Sequence, residues 1–193
     1  MPRRRQVSDA QIIKAARKVF LEHGTQVPVT TVAKELGVSS ATLFVRMGSK
    51  RGLISAALWP PDPPILEILE KGIARAVPIE DELFEILYQL ATYAEAEIPA
   101  TFTLYAAGLR AKPGEDFSDV SPARLRRALT KWFSEAVRAG DMVCAPRTAA
   151  EVAIGTLEAR AMHAFIGRRQ SSARETRAFI RELVATVLCR RGS

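Results

Sequence analysis

The sequence predicts an all-α protein. Apolar residues recur at three- and four-residue spacing, Ser, Pro and Gly stand where such runs begin and end, and no segment alternates apolar and polar residues as a half-buried strand would. Two domains are expected, residues 1–60 and 61–193, because Pro60, Pro61, Pro63 and Pro64 forbid a helix from continuing across that point.

The elements follow in order. Ser8, with Gln11 three residues on, reads as a capping box, and Ile12, Ile13, Ala16, Val19 and Phe20 continue at helical spacing to a stop at Gly24. Pro28 suits the first position of a second helix, which runs to Gly37, since its missing N–H is one that a helix leaves unpaired anyway. Ser39 caps a third helix ending near Met47 and Gly48, and Ser49 caps a fourth that reaches Trp59. Further helices are expected over 65–76, 80–97, 101–110, 122–139, 148–166 and 173–188. They are separated by Pro78, Pro99, the Lys112-Pro113-Gly114 turn, Ser121 before Pro122, Gly140, Pro146 and Gly167.

Composition excludes several classes. With 48% hydrophobic and 25% charged residues the chain can bury a core, so disorder is not expected. No apolar run approaches the ~20 residues that span a bilayer, and Met1 to Arg5 leads into a polar helix, so a cytoplasmic protein without a membrane partner is expected. Cys144 and Cys189 lack metal-ligand or disulfide-framework spacing and read as reduced structural thiols. There is no HExxH, GxGxxG, P-loop or GxSxG, and His23 and His163 fall in different domains. No catalytic residue, metal or cofactor is therefore expected.

The net charge of +7 sits at one end. Residues 1–60 hold ten Lys and Arg against Asp9, Glu22 and Glu35, which accounts for all of it, and the remainder carries 18 basic and 18 acidic residues. Such a field suits a polyanion, although a solvated basic surface would read alike from charge alone. The pattern within the segment decides between them. Ala33 is small where two helices must approach, Gly37 suits the left-handed turn, and Val32, Leu36, Val38 and Leu43 can close a miniature core. Ser40, Thr42, Phe44, Val45 and Arg46 are left over, groups able to meet base edges, thymine methyls or phosphate.

From Thr42 through Leu43, Phe44, Val45, Arg46, Met47, Gly48, Ser49, Lys50 and Arg51 to Gly52 and Leu53, the chain resembles the TetR family of bacterial regulators. The resemblance extends from Ala10 to Leu58, about a quarter of the chain. It implies a three-helix helix-turn-helix DNA-binding domain with its third helix in the major groove, followed by a helical effector-binding and dimerisation domain. It implies too a regulator, most simply a repressor released by its effector. On that resemblance Ser39, Ser40, Thr42, Phe44, Val45 and Arg46 are the groove-facing candidates, and Lys50 matches the family's phosphate-binding lysine at the start of helix four. Phe44 replaces the usual tyrosine, which removes a hydroxyl contact to phosphate, and Met47 replaces the usual aromatic. Arg3, Arg4 and Arg5 could reach the minor groove or remain a solvated tail.

In the second domain, residues 148–166 are small or apolar almost all round, and Phe179, Ile180, Leu183, Val184, Val187 and Leu188 give the last helix a broad stripe. The resemblance implies that these two helices pair across a homodimer, which would bind a palindromic operator in double-stranded DNA. Tyr88, Phe102, Tyr105, Met162 and Phe165 are candidates to surround an apolar or aromatic small-molecule effector. Glu158 and His163 could anchor its polar groups or be satisfied core polars. A DNA-binding architectural protein without an effector is the alternative.

Overall fold

The computed structural model describes residues 7–109 and 121–188. Arg3, Arg4, Arg5, Cys189 and the Lys112-Pro113-Gly114 turn lie outside them. The described residues form helices and no strand: α1 Asp9–His23, α2 Val29–Leu36, α3 Ser40–Met47, α4 Lys50–Leu58, α5 Leu66–Lys71, α6 Ile79–Ala106, α7 Ser121–Ala139, α8 Pro146–Ile166 and α9 Ala173–Val187. They fall into two compact units, Met1–Pro60 with Pro99–Gly114, and Pro61–Ile98 with Glu115–Ser193.

Local chemistry sets most boundaries. The Ser8 hydroxyl accepts from the Gln11 backbone while the Gln11 side chain accepts from the Ser8 N–H, so α1 opens with two of its orphan donors satisfied. The same reciprocal pair, Ser172 with Glu175, opens α9. Pro28 caps α2 from just outside, so the first helical residue is Val29, one later than expected. Helix α5 is shorter than the expected 65–76, because Gly72 turns the chain at φ 91° with the Glu135 carboxylate beside it.

The largest departure is α6, one continuous helix where two were expected, with Pro99 inside it. An interior proline forfeits one backbone hydrogen bond and costs ~3 kcal/mol, which is why the sequence reads as a break. Burial outweighs that cost: one residue later Ala100 is wholly buried and Leu104 is 1% exposed. The Thr103 hydroxyl donates to the Pro99 carbonyl at 2.8 Å.

In the first unit Ile12, Ala16, Phe20, Val32, Leu43 and Leu58 form a closed core that Ala100, Leu104 and Leu109 complete. The second unit is built around Trp132 and Phe133, both fully buried and packed edge to face at 5.3 Å between ring centroids. The Trp132 indole N–H donates to Glu82, whose carboxylate also accepts from the Ala74 and Arg75 backbone.

Candidate nucleic-acid interface

The turn between α2 and α3 follows from its glycine. Gly37 takes φ 66°, and the Val38 and Gly37 N–H groups return to the Ala33 and Lys34 carbonyls at 3.0 and 3.1 Å. These two bonds close a Schellman motif and satisfy carbonyls that α2 would otherwise leave unpaired. Ser39 then caps α3 by accepting from the Thr42 N–H at 3.2 Å, and its hydroxyl lies 3.0 Å from that of Thr42. Both hydroxyls are thus engaged in holding the start of α3.

Leu43 anchors α3 in the core at 1% exposure with Met47 packed beside it, and the opposite face turns outward. Phe44 is 43% and Val45 84% exposed, with Ala41 exposed on the same side and Ser40 half-buried. An eight-residue helix presenting a β-branched residue to water has placed it against the hydrophobic gradient that built the rest of the unit. Sequence reasoning passed over Ala41, although its spacing of three and four from Phe44 and Val45 puts it on their face.

The cations at the end of α3 and the start of α4 are held in place. Arg46 pairs with Asp9 of α1 at 2.6 Å and donates to the Val7 carbonyl at 3.3 Å. Lys50 donates to the Gln26 carbonyl at 3.2 Å, a bond that uses one of its three N–H groups. The joint between α3 and α4 depends on Gly52, whose role was not read from the sequence. A Cβ there would collide with the Met47 carbonyl oxygen, and the Gly52 N–H donates to the capping Ser49 hydroxyl at 2.9 Å. Only the missing side chain lets α4 start so close under the last turn of α3.

The five effector candidates are divided between the units. Phe102 and Tyr105, 48% and 52% exposed, lie on the part of α6 that belongs to the first unit, whereas Tyr88, Met162 and Phe165 are half-buried in the second. Tyr88 stacks on Phe84 with centroids 6.1 Å apart, and the guanidinium of Arg177 lies 5.1 Å from the Tyr88 ring centre.

Glu158 and His163 are not core polars, since both are exposed on α8. Partial burial is the main influence raising the Glu158 carboxyl above the usual range, with Arg126 opposing and Glu151 adding to the rise. The partly buried polar network of α8 centres instead on Arg160, which the sequence pattern did not single out. It donates to the Thr176 hydroxyl at 3.0 Å, lies 4.7 Å from the Phe179 ring centre and stands 3.5 Å from Glu95.

The broad stripe of α9 is consumed by its own unit. Ile180, Leu183, Val184, Val187 and Leu188 are all at most 8% exposed, and Ala161 on α8 is 2% exposed. One outward side of α8 carries Val152 at 44%, Ile166 at 68%, and exposed Gly155, Ala159 and His163 between them.

A family model for bacterial regulatory proteins of the TetR family matches residues 12–57, the segment holding the capped α2, turn and α3. The N-terminal domain is a TetR-family domain. Beyond that domain the chain is similar in fold to solved transcriptional regulators. The regulator PfmR from Thermus thermophilus matches with a TM-score of 0.68 at 19% identity, over 97% of this chain and 99% of that one. A TetR-like regulator from a Rhodococcus species matches at 0.65 and 18%, over 99% and 100%. FadR from Bacillus subtilis, solved in complex with stearoyl-CoA, matches at 0.64 and 15%, over 96% and 100%. No curated protein matches the chain in sequence. Among the described residues no helix of the TetR-like chain is long and apolar enough to cross a membrane, and no cluster of His, Cys, Asp or Glu could hold a metal ion.

Proposed function

We propose that this chain is a transcriptional repressor that binds a palindromic operator as a homodimer and is released by a small apolar or aromatic effector. The observation that carries the reading is α3: Phe44 and Val45 project from a TetR-family domain beside two tethered cations, Arg46 and Lys50. Ala41, Phe44 and Val45 fit thymine methyls along the floor of the major groove, the Ser40 hydroxyl suits base edges or phosphate, and Thr42, its hydroxyl shared with Ser39, supports the start of the helix. Ser39, whose hydroxyl is committed to the cap, serves by holding α3 in register. Arg46 and Lys50 meet the backbone.

One three-helix domain offers a short reading surface, so two act together on half-sites about one helical turn or more apart. The outward face of α8 from Val152 to Ile166 supplies the apolar part of the dimer contact. Because the apolar stripe of α9 is spent within its unit, α9 contributes the small and polar side chains Arg174, Ala178, Arg181 and Ala185. An apolar effector is supported by the half-buried Tyr88, Met162 and Phe165, and by the stearoyl-CoA complex of the structurally similar FadR.

Selection of bound duplexes from a random pool tests the reading directly. The expected product is a palindrome, and Lys50→Ala should lower its affinity and that of a mixed-sequence duplex alike, reducing the salt slope by about one. A pool that yields no preferred sequence would overturn operator recognition. A thermal-shift screen of apolar and aromatic compounds, each hit followed by operator binding, tests release. Hits that stabilise the protein without changing operator affinity would favour the effector-independent architectural alternative.

A further inference from the structure

Each of the three carboxylates in residues 7–60 stands beside a basic side chain: Glu35 by Lys18 at 2.7 Å, Glu22 by His23 at 3.8 Å, and Asp9 by Arg46 at 2.6 Å. Of these pairs, the last involves α3. The partners are 57% and 41% exposed, so the pair stands at the surface where an arriving phosphate must compete with the Asp9 carboxylate for the guanidinium. The Val7 carbonyl takes a second N–H of the same group, which fixes Arg46 toward the start of α1.

From this geometry we infer that Asp9 is a specificity-determining residue, a built-in competitor that withholds Arg46 from the phosphates of arbitrary DNA. The inference rests on the reading that α3 enters the major groove. On a sequence that offers α3 no base contacts, nothing draws the helix inward and Arg46 keeps its internal partner. On a matching sequence the contacts of Ala41, Phe44 and Val45 seat α3 more deeply, and the clustered phosphates outcompete one carboxylate. Asp9 therefore lowers non-specific binding more than specific binding. A surface ion pair suits this role because its net contribution to stability is small and its partner is easily exchanged.

The test compares wild type, Asp9→Asn, Arg46→Gln and the double variant in the full chain. The probes are a mixed-sequence duplex and a duplex selected from the random pool. Asp9→Asn should raise affinity for the mixed-sequence duplex about 3-fold at moderate salt and steepen its salt slope by about 0.9, the value of one added phosphate contact. The selected duplex should gain less, so the ratio between the two narrows. In the Arg46→Gln background Asp9→Asn should gain nothing. Glu22→Gln removes the same formal charge without freeing an arginine and should give no steeper slope. Equal gains with and without Arg46, or from Glu22→Gln, would reduce Asp9 to one surface charge among others and overturn the inference. A fall in affinity would overturn it too, by making Asp9 a support for Arg46. Asp9 is the first residue of α1, so an unchanged thermal midpoint confirms that the variant reports on binding. Wild-type protein that bound neither duplex would strike the functional reading itself, an outcome separate from these comparisons.

Discussion

Helices α3 and α8 both turn large apolar side chains toward water, yet the charges around them are arranged differently. On α3, Phe44 and Val45 are followed by Arg46 and Lys50. On α8, Glu151 and Glu158 stand beside the outward apolar residues within 3.1 and 4.0 Å of Arg126, and exposed Arg147, Arg168 and Arg169 lie toward its two ends. Apolar exposure alone says that a surface is unfinished. The flanking charge narrows what finishes it: cations gathered beside α3 favour a polyanion, whereas paired charges of both signs along α8 set up no such field and suit a protein surface.

The largest effect is expected from breaking the α8 face. Val152→Asp with Ala159→Asp places charges at exposed positions, so the helical fold should survive while a dimer in sedimentation becomes a monomer. Selected-operator affinity should fall ~100-fold or more as the second reading head is lost. Ala161→Glu or Val184→Glu would be the wrong probe of this face, because both side chains are buried and a charge there unfolds the unit instead. If the exposed double variant stayed dimeric, α8 would not be the interface.

The α3 face should respond differently. Val45→Ser is expected to weaken the selected duplex by about 1–3 kcal/mol with little change for mixed-sequence DNA, and replacing operator thymines by uracil should reproduce part of that loss. A uniform loss on both duplexes would assign Val45 to folding rather than reading. A third variant tests how α3 is presented. Gly37→Ala should cost about 1–2 kcal/mol of thermal stability, because the space is open but φ 66° is strained for any Cβ. No change in the midpoint would show that the turn relaxes.

These contrasts also explain how much could be read from the residues in order. Ser8 with Gln11, Gly24, Gly37, Ser39, Gly48 and Ser49 act on backbone groups within a few positions of themselves, so the first four helices were legible almost to the residue. The helix through Pro99 was not, because its continuity depends on burying Ala100 and Leu104 against side chains far away in the chain. Gly52 escaped notice since its need is set by the Met47 carbonyl and not by a turn of its own. The apolar residues of α8 and α9 were recognisable as such. Which of them point into their own unit is decided by where α7 and α6 pack, and that is not local information.

The smallest expected effect sharpens the electrostatic side of the comparison. The Glu175 carboxyl is held below its ordinary value of 4.5, chiefly by the Ser172 backbone N–H, so its stabilisation is present above that pH and is lost as pH falls through the lowered value. The Glu158 carboxyl is raised, chiefly by burial, so its contribution favours the fold below 4.5 and is lost as pH rises through the raised value. Melting profiles across the acid range should therefore diverge. Glu175→Gln loses stability relative to wild type at neutral pH and converges with it in acid, whereas Glu158→Gln gains at neutral pH and converges likewise. Parallel profiles would show that neither carboxyl is coupled to folding.

The far end of α6 carries a consequence for anyone wishing to cut the chain. Ala100, Leu104 and Leu109 complete the core that α1 to α4 begin, so a fragment ending at Pro60 would lack three of its buried apolar side chains. A deleted core leucine costs ~2–5 kcal/mol, and a domain of that size has little more than this to lose. An excised head should therefore refold only when a peptide spanning Pro99 to Leu109 is supplied, joined or added in trans, and the peptide's affinity would measure how much of the DNA-reading half is encoded well downstream of its apparent end.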